Sequence, residues 1–208
     1  MPNTDRLAAA LAMAHEAHRT QKRKGTSIPY IAHPMAVASL VLEYGGGEDQ
    51  AIAGLLHDTI EDGGEDYAAR IADAFGPAVL AMVSDCTDGT AESKAAATTP
   101  AAKQVNWKVR KLAYMQHLRA QPPATPSLLV SACDKLHNAR SVLGDFRRLG
   151  DAVFDRFTGA RDGTLWYYAE LAAIYESKQV APAAALARTV ATLQREASCA
   201  AAATGAGA

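Results

Sequence analysis

Cysteine is scarce in this sequence, and long apolar runs are missing. The three cysteines, Cys86, Cys133 and Cys199, are widely spaced and form no Cys-x-x-Cys pair. This pattern argues against a disulfide framework and against a zinc site built from cysteines. No apolar run reaches the ~18 residues that a membrane-spanning helix needs, and the N-terminus lacks a basic region followed by an apolar one. We therefore expect a protein of the reducing cytoplasm, without a membrane partner.

An excess of charge of either sign is also missing. Lys and Arg number 21 and Asp and Glu number 22, which gives a net charge of -1 over 208 residues. Non-specific nucleic-acid binding relies on broad positive charge, so this balance argues against a nucleic-acid partner. A small anionic ligand needs only a local basic patch and remains possible. The sequence gives no indication of the oligomeric state.

Strand patterns are almost absent, because runs of alternating Val, Ile and Thr do not occur. Alanine makes up about a fifth of the chain and is the best helix former. The sequence therefore predicts an all-α fold, a single-domain bundle of about nine or ten helices. Their approximate positions are 4–19, 33–44, 49–62, 66–75, 77–86, 103–120, 127–143, 149–157, 164–177 and 182–197.

Two segments fall outside these predicted helices. Residues 88–102 are rich in Ala, Thr and Gly and include Pro100, which is typical of a long loop. Residues 198–208 are mostly small, and we expect this tail to fray. The helices on both sides of the 88–102 loop are expected to share one core, so the predicted domain is 1–197.

The first motif with chemical content is His57-Asp58-Thr59-Ile60-Glu61-Asp62. In a continuous helix, Glu61 and Asp62 would lie one turn beyond His57 and Asp58 and on the same side. The segment 51–56 before them is apolar and predicted to be buried. Burying several carboxylates together is costly unless a cation neutralises them. A metal site and a solvated acidic helix end both remain open at this point.

The second motif is Asp134-Lys135-Leu136-His137-Asn138-Ala139-Arg140-Ser141. Asp134, Asn138 and Ser141 are spaced as i, i+4 and i+7, which makes one polar stripe on a helix. The stripe follows an apolar run over 128–133, where polar groups need partners. The alternative is an ordinary amphipathic turn into solvent. His137 lies off the stripe, and we exclude it as a metal ligand.

The third motif is a basic loop that leads to a histidine at a helix start. Arg23 and Lys24 open the segment RKGTSIPYIAHP, which ends at His33 and Pro34. The alternatives to a ligand site are a solvated basic surface and a capping or core histidine. Further along the chain, a predicted helix contains three more basic residues, Lys108, Arg110 and Lys111. This helix could reach phosphates, but a solvated helix face is the favoured interpretation.

The order RKGTSIPYIAHP, LLHDTIED, DKLHNAR resembles the HD-domain metal phosphohydrolases. More narrowly, it is similar to the hydrolase half of the Rel/SpoT alarmone enzymes and to the small alarmone hydrolases, over about residues 6 to 177. The resemblance implies an HD-type helical bundle that binds Mn²⁺, or another divalent transition ion. The implied ligands are His33, His57, Asp58 and Asp134. Imidazole and carboxylate groups suit such ions.

The resemblance also implies roles for residues around the metal. Glu61 and Asp62 match a catalytic pair. The implied substrate contacts are Arg23 and Lys24 for the nucleotide, and Asn138 and Ser141 near the ribose and its phosphate. Ala139 and Ser141 replace Leu and Thr of the common pattern, although Ser141 keeps the hydroxyl. The 88–102 loop is longer than usual in the family.

The function implied is Mn²⁺-dependent hydrolysis of the 3′-pyrophosphate of guanosine alarmones, which converts (p)ppGpp to GDP or GTP and pyrophosphate. Two alternatives stay open. The same pocket could act on adenine alarmones or remove a nucleotide phosphate such as the 2′-phosphate of NADPH, or the chain could be an inactive nucleotide-sensing module. No segment after the hydrolase-like region has room for a synthetase domain, so alarmone synthesis is not expected.

Overall fold

The computed structural model describes residues 4–64, 66–87 and 98–205, and these ranges contain no strand. The all-α prediction is confirmed. An isolated bridge pairs Lys22 with Pro29 at the neck of the basic loop. The α-helices are α1 (Thr4–His18), α2 (Ala32–Glu43), α3 (Glu48–Leu56), α4 (Thr59–Gly63), α5 (Asp66–Phe75), α6 (Pro77–Cys86), α7 (Pro100–Ala120), α8 (Pro126–Leu149), α9 (Ala160–Ser177) and α10 (Ala183–Gly205), and a 3-10 helix spans Gly150–Arg156.

Helix α3 is the centre of the bundle. All residues from Ala51 to Leu56 are buried, and α3 packs against α1, α2, α6 and α8. A helix that is apolar on all sides is stable only when it is surrounded. Gly54 lets α2 approach closely, because a Cβ atom at this position would lie 3.2 Å from Cα of Ala38. The main chains of the two helices are thus almost in contact beside the site described below.

The predicted helix 49–62 is interrupted at the His-Asp pair. Helix α3 ends at Leu56, and α4 begins at Thr59 after a turn formed by His57 and Asp58. The Thr59 hydroxyl donates a 2.6 Å hydrogen bond to the Leu56 carbonyl oxygen, which satisfies a polar group at the end of α3. Neighbouring residues in a continuous helix do not face each other, so the turn allows both side chains to point to one place.

Several predicted boundaries in the second half were wrong. Helix α7 begins at Pro100, because Thr99 caps it by accepting a 3.2 Å hydrogen bond from the Ala102 amide. Of the predicted 88–102 loop, residues 88–97 lie outside the described ranges. Helix α8 continues to Leu149, and the next segment is the 3-10 helix. Helix α10 continues past residue 197 to Gly205, since alanine favours the helix.

Helix α7 and the basic loop frame the face on which the three motifs meet. Helix α7 packs mainly on α9, and its basic side chains lie across a depression from the basic loop and α8. None of the helices in the described ranges is long and apolar enough to cross a membrane.

Candidate metal centre and adjoining cavities

Four side chains from three parts of the chain meet at one point. His33 comes from the first turn of α2, His57 and Asp58 from the turn after α3, and Asp134 from α8. The Nε2 atom of His57 lies 3.2 Å from Nε2 of His33 and 3.0 Å from Oδ2 of Asp58. Oδ1 of Asp134 lies 3.1 Å from Nε2 of His33. The structure thus brings together all four ligands that the sequence resemblance implies.

This geometry fits a single divalent cation. One donor atom from each of His33, His57 and Asp58 lies within 4.8 Å of the others. Oδ1 of Asp134 lies 3.7 Å from Nε2 of His57, so its oxygen faces the same point. Both histidines are only 1% exposed. Imidazoles and carboxylates that converge in this way are a donor set for intermediate divalent ions.

Electrostatics keep both carboxyl groups ionised. Burial alone would raise the pKa of Asp58, but the charge and hydrogen bond of His57 hold it below its usual value. Burial likewise opposes ionisation of Asp134, and the positive charge of Lys135, with the hydrogen bond from His33 and the charge of His57, lowers its pKa. Two ionised carboxylates are therefore ready to bind a cation.

The two histidines differ in their pKa values. Burial lowers the pKa of His33. Burial also acts to lower the pKa of His57, but Asp58 and Asp134 outweigh it and raise this pKa to about 10. His57 therefore supplies the positive charge that balances the carboxylates, and a bound divalent ion would displace its proton.

Further hydrogen bonds orient two of these side chains. Nδ1 of His57 donates to the Gly54 carbonyl oxygen at 2.9 Å, which turns Nε2 inward. The Tyr30 hydroxyl donates to Oδ2 of Asp58 at 2.5 Å. The sequence interpretation missed Tyr30, although Tyr30 lies three residues before His33 in the same motif.

His137 is a second residue whose contact the sequence interpretation missed. Its Nδ1 atom lies 2.8 Å from Nδ1 of His33, on the side of the ring opposite to the nitrogen that faces the carboxylates. Burial, with the nearby charges of His33 and Arg23, lowers the pKa of His137 to about 4. A neutral His137 can accept a hydrogen bond from Nδ1 of His33 when Nε2 of His33 faces a bound cation. The signal was its position three residues after Asp134 on one helix.

Asp134 is held from two sides. Nζ of Lys135 donates to Oδ2 at 2.6 Å, and Nδ2 of Asn138 donates to Oδ1 at 2.5 Å. Asn138 in turn accepts a 2.8 Å hydrogen bond from Nη2 of Arg23. The interpretation of this stripe as a turn into solvent is therefore wrong at Asp134, which is only 5% exposed. Ser141 donates to the backbone carbonyl of His137 at 3.0 Å.

A cavity of about 430 Å³ opens beside the four side chains. Asp58, Glu61 and Asp134 line it. The basic side chains among its described lining residues are Arg23, Lys24, Lys103, Arg110, Lys111 and Lys135. The interpretation of a solvated face is therefore wrong for Arg110 and Lys111, whereas Lys108 is exposed. This excess of basic groups makes the cavity suitable for an anion.

A second cavity of about 620 Å³ adjoins the first. Arg23, Lys24, Glu61 and Asn138 line both cavities. The second cavity also has Ser141 and several apolar or aromatic walls, which are Ile28, Val142, Val153, Phe157 and Tyr168. All four predicted substrate contacts thus border one continuous depression. The Asp62 side chain, predicted to pair with Glu61, lies outside the described part of the structure.

Comparisons with known proteins find relatives over much of the chain. The family model described as HD domain matches residues 10–165. A Synechocystis protein named "probable guanosine-3′,5′-bis(diphosphate) 3′-pyrophosphohydrolase" is 32% identical over 137 residues, which are 65% of this chain and 16% of that protein. A Myxococcus xanthus protein named GTP pyrophosphokinase is 31% identical over 142 residues, covering 68% of this chain and 18% of that protein. The chain thus spans less than a fifth of the length of these curated relatives.

A solved structure extends the likeness to almost the whole chain. It is described as a metazoan ortholog of SpoT that hydrolyses ppGpp and plays a role in starvation responses. The TM-score is 0.68 over 94% of this chain and 97% of that chain, with 19% sequence identity. At this identity the likeness shows a shared fold.

Proposed function

The chain belongs to the HD-domain family, and from that premise we propose that it is a metal-dependent phosphohydrolase that removes the 3′-pyrophosphate of guanosine alarmones. The observation that supports this most is the meeting of His33, His57, Asp58 and Asp134 beside a cavity with six basic side chains among its described lining residues. A pyrophosphate group carries several negative charges, and this wall offers the opposite charge next to a cation site. The names of the relatives support the same substrate class.

In this proposal the four convergent side chains hold Mn²⁺ or another divalent transition ion. When bound, such an ion supplies Lewis-acid polarisation of a phosphoryl oxygen and makes water a stronger acid. His57 is held for this role by Gly54, and Asp58 by Tyr30. The chain's own contribution is a set of donors with two buried imidazoles and two carboxylates that are already ionised.

Glu61 is the general base in this proposal. It borders both cavities beside the candidate ligands, where it accepts a proton from the attacking water. The motif assigns Asp62 to the same pair. Water oxygen bonds to the phosphorus next to the 3′-oxygen, the bond between that phosphorus and the 3′-oxygen breaks, and the 3′-oxygen takes up a proton. The products are pyrophosphate and GDP from ppGpp, or GTP from pppGpp.

Substrate binding is assigned to the residues between the two cavities. Arg23 and Lys24 offer charge to the phosphates and a guanidinium plane to the base. Asn138 and Ser141 lie on the same side of α8, where the ribose is expected. Arg110 and Lys111 extend the positive wall along α7, so the released pyrophosphate is bound from a second helix.

Product identification tests this proposal. Protein loaded with Mn²⁺ is incubated with ppGpp, and the products are separated by ion-exchange chromatography. We expect equal amounts of GDP and pyrophosphate. Release of orthophosphate instead, or no turnover despite tight nucleotide binding, would contradict it, and the second result would indicate a nucleotide-sensing module.

Parallel incubations define the substrate. An adenine alarmone and NADPH are compared with ppGpp at equal concentration, because the apolar walls of the second cavity do not by themselves select one base. Incubation with GTP and ATP measures synthesis, since one relative is named for that activity. Faster turnover of NADPH than of ppGpp would replace the alarmone with a simple nucleotide phosphate as the substrate.

A further inference from the structure

We propose that the second cavity contains a site for the 5′-phosphates of the nucleotide, formed by Arg156 and Arg148, so that the protein prefers substrates phosphorylated at both the 3′ and the 5′ positions. The orientation of the bound nucleotide rests on the proposed function, in which the 3′-pyrophosphate lies at the candidate metal centre. The arginine site itself rests on the structure of the second cavity. Neither arginine belongs to the three sequence motifs.

The two arginines share one carboxylate. Nη1 of Arg156 donates to Oδ2 of Asp145 at 2.6 Å, and Nη2 of Arg148 donates to Oδ1 of the same residue. Partial burial opposes ionisation of Asp145, but these hydrogen bonds hold its pKa below the usual value. One negative charge therefore faces two positive charges. A guanidinium has five N–H donors, more than one carboxylate oxygen can use, and it binds phosphate in a fork geometry.

Arg156 is placed firmly against the basic loop. Its side chain is only 16% exposed. Gly25 has a φ of +71°, and a Cβ atom at this position would lie 2.5 Å from Nε of Arg156. The guanidinium thus occupies the space that a side chain at position 25 would fill. The loop that supplies Arg23 and Lys24 therefore also sets the position of Arg156 in the cavity wall.

The arrangement of the cavities fits a nucleotide with two charged ends. The first cavity has the candidate metal ligands, and the second has Arg148 and Arg156, with Arg23 and Asn138 bordering both. The substituents on the 3′ and 5′ carbons of a ribose leave the ring in different directions. A nucleotide whose 3′-pyrophosphate enters the first cavity can therefore place its 5′-phosphates in the second. The apolar walls there receive the base.

The competing explanation is that Asp145 and the arginines only connect α8 to the 3-10 helix. Among the described lining residues of the second cavity, Arg23, Lys24, Arg148 and Arg156 are basic, whereas Glu61 and Asp145 are acidic. The four basic residues outnumber the two acidic ones, whereas a structural ion pair needs only one charge of each sign. A purely structural role also predicts equal losses for every substrate, and this difference can be measured.

The test compares two substrates in three proteins. The substrates are ppGpp and guanosine 3′-diphosphate without 5′-phosphates, and the proteins are wild type, Arg156→Gln and Arg148→Gln. Hydrogen bonds to charged groups are worth enough for about a tenfold change in affinity. We expect Arg156→Gln to lower kcat/KM for ppGpp about tenfold more than for the 5′-dephosphorylated substrate. Arg148→Gln should show the same preference with a smaller difference, because Arg148 is 68% exposed.

Arg195→Gln is the matched control, since Arg195 is exposed on α10 and bonds to Thr192 of its own helix. It should retain the wild-type preference between the two substrates. Equal losses on both substrates in Arg156→Gln and Arg148→Gln, or no loss, would overturn the proposal. If Arg156→Gln does not fold, the comparison is made with Arg148→Gln, because Arg148 is exposed and its substitution should not disturb the fold.

A binding measurement separates this proposal from the proposed function. Calorimetric titration with GDP and with guanosine reports the 5′-phosphate contribution without any hydrolysis. If wild type cleaves neither substrate, the proposed function fails, yet weaker GDP binding by Arg156→Gln with unchanged guanosine binding still supports the phosphate site. Equal GDP affinity in wild type and both variants would reject the phosphate site even in an active hydrolase.

Discussion

The side-chain amide of Asn138 donates a 2.5 Å hydrogen bond to Oδ1 of Asp134. Its carbonyl oxygen accepts a hydrogen bond from Arg23. One amide group therefore connects a candidate metal ligand to a candidate nucleotide contact. The two bonds use opposite ends of the amide, so removing the amide takes a hydrogen-bond partner from both residues.

Asn138→Leu tests this connection. The substitution keeps a side chain of similar size and adds no charge, but it removes the donor to Asp134 and the acceptor for Arg23. Loss of such a supporting hydrogen bond typically costs about 10- to 100-fold in metal affinity. We expect a loss of this size in calorimetric titration with Mn²⁺. Gln116→Leu replaces an amide in the same way at an exposed position of α7 and serves as the control. Equal metal affinity in both variants would show that the amide does not support Asp134.

Metal removal is the second test. Chelation should abolish pyrophosphate release, and added Mn²⁺ should restore it, because two ionised carboxylates converge on the site. Asp58→Ala should lose both bound metal, measured by elemental analysis, and activity. Asp73→Ala, at an exposed position of α5, should retain both. Full turnover by a metal-stripped sample would refute a metal-dependent mechanism.

Glu61→Gln separates proton transfer from metal binding. The amide keeps the shape of the side chain but cannot accept a proton. General acid–base catalysis typically contributes ~10²–10⁴-fold, so kcat should fall by about that factor while metal content stays near wild type. Single-turnover kinetics and metal analysis of the same sample provide the two readings. A metal-replete variant with near-normal turnover rules out Glu61 as the base, and parallel loss of metal and activity indicates a ligand instead.

His137 is expected to orient His33. When Nε2 of His33 binds a cation, its Nδ1 carries the proton and donates to Nδ1 of His137, 2.8 Å away. His137→Phe removes this acceptor but keeps a ring, so Mn²⁺ affinity should fall about 10- to 100-fold. His137→Gln, which offers an amide acceptor, should lose less. His15→Phe changes an exposed histidine of α1 and is the control. Identical affinities for the two His137 variants would exclude a role for the hydrogen bond.

The convergence of four side chains was predictable because the resemblance to the HD-domain phosphohydrolases rests on the motifs that contain them. The resemblance implied His33, His57, Asp58 and Asp134 as a set, and their side-chain types suit a divalent cation. The turn at His57 and Asp58 was not predictable, since 51–62 has the apolar spacing of one helix, contains no proline, and has its one glycine inside α3. The Thr59 hydroxyl, which donates to the Leu56 carbonyl oxygen, satisfies the end of the helix there.

The arrangement of Arg156 in the second cavity could not be predicted from local sequence patterns. Arg148 follows Asp145 by three residues on α8, so helix spacing accounts for that contact. Arg156 belongs to the 3-10 helix and meets Asp145 only because this helix turns back on α8. Arg156 reaches the basic loop although the two are far apart in sequence. Contacts of this kind depend on the tertiary arrangement, which helix periodicity does not encode.

Gly54 has no side chain, and this determines the distance between two histidines of the candidate metal centre. A Cβ atom at this position would stand 3.2 Å from Cα and 3.3 Å from the backbone nitrogen of Ala38. Any larger residue would act as a wedge between α2 and α3. His33 is on the first helix, and His57 is bonded to the Gly54 carbonyl oxygen at the end of the second. The residue at position 54 therefore sets the distance between the two imidazoles. A larger residue would separate α2 and α3 and increase this distance, although all four ligand residues would still be present.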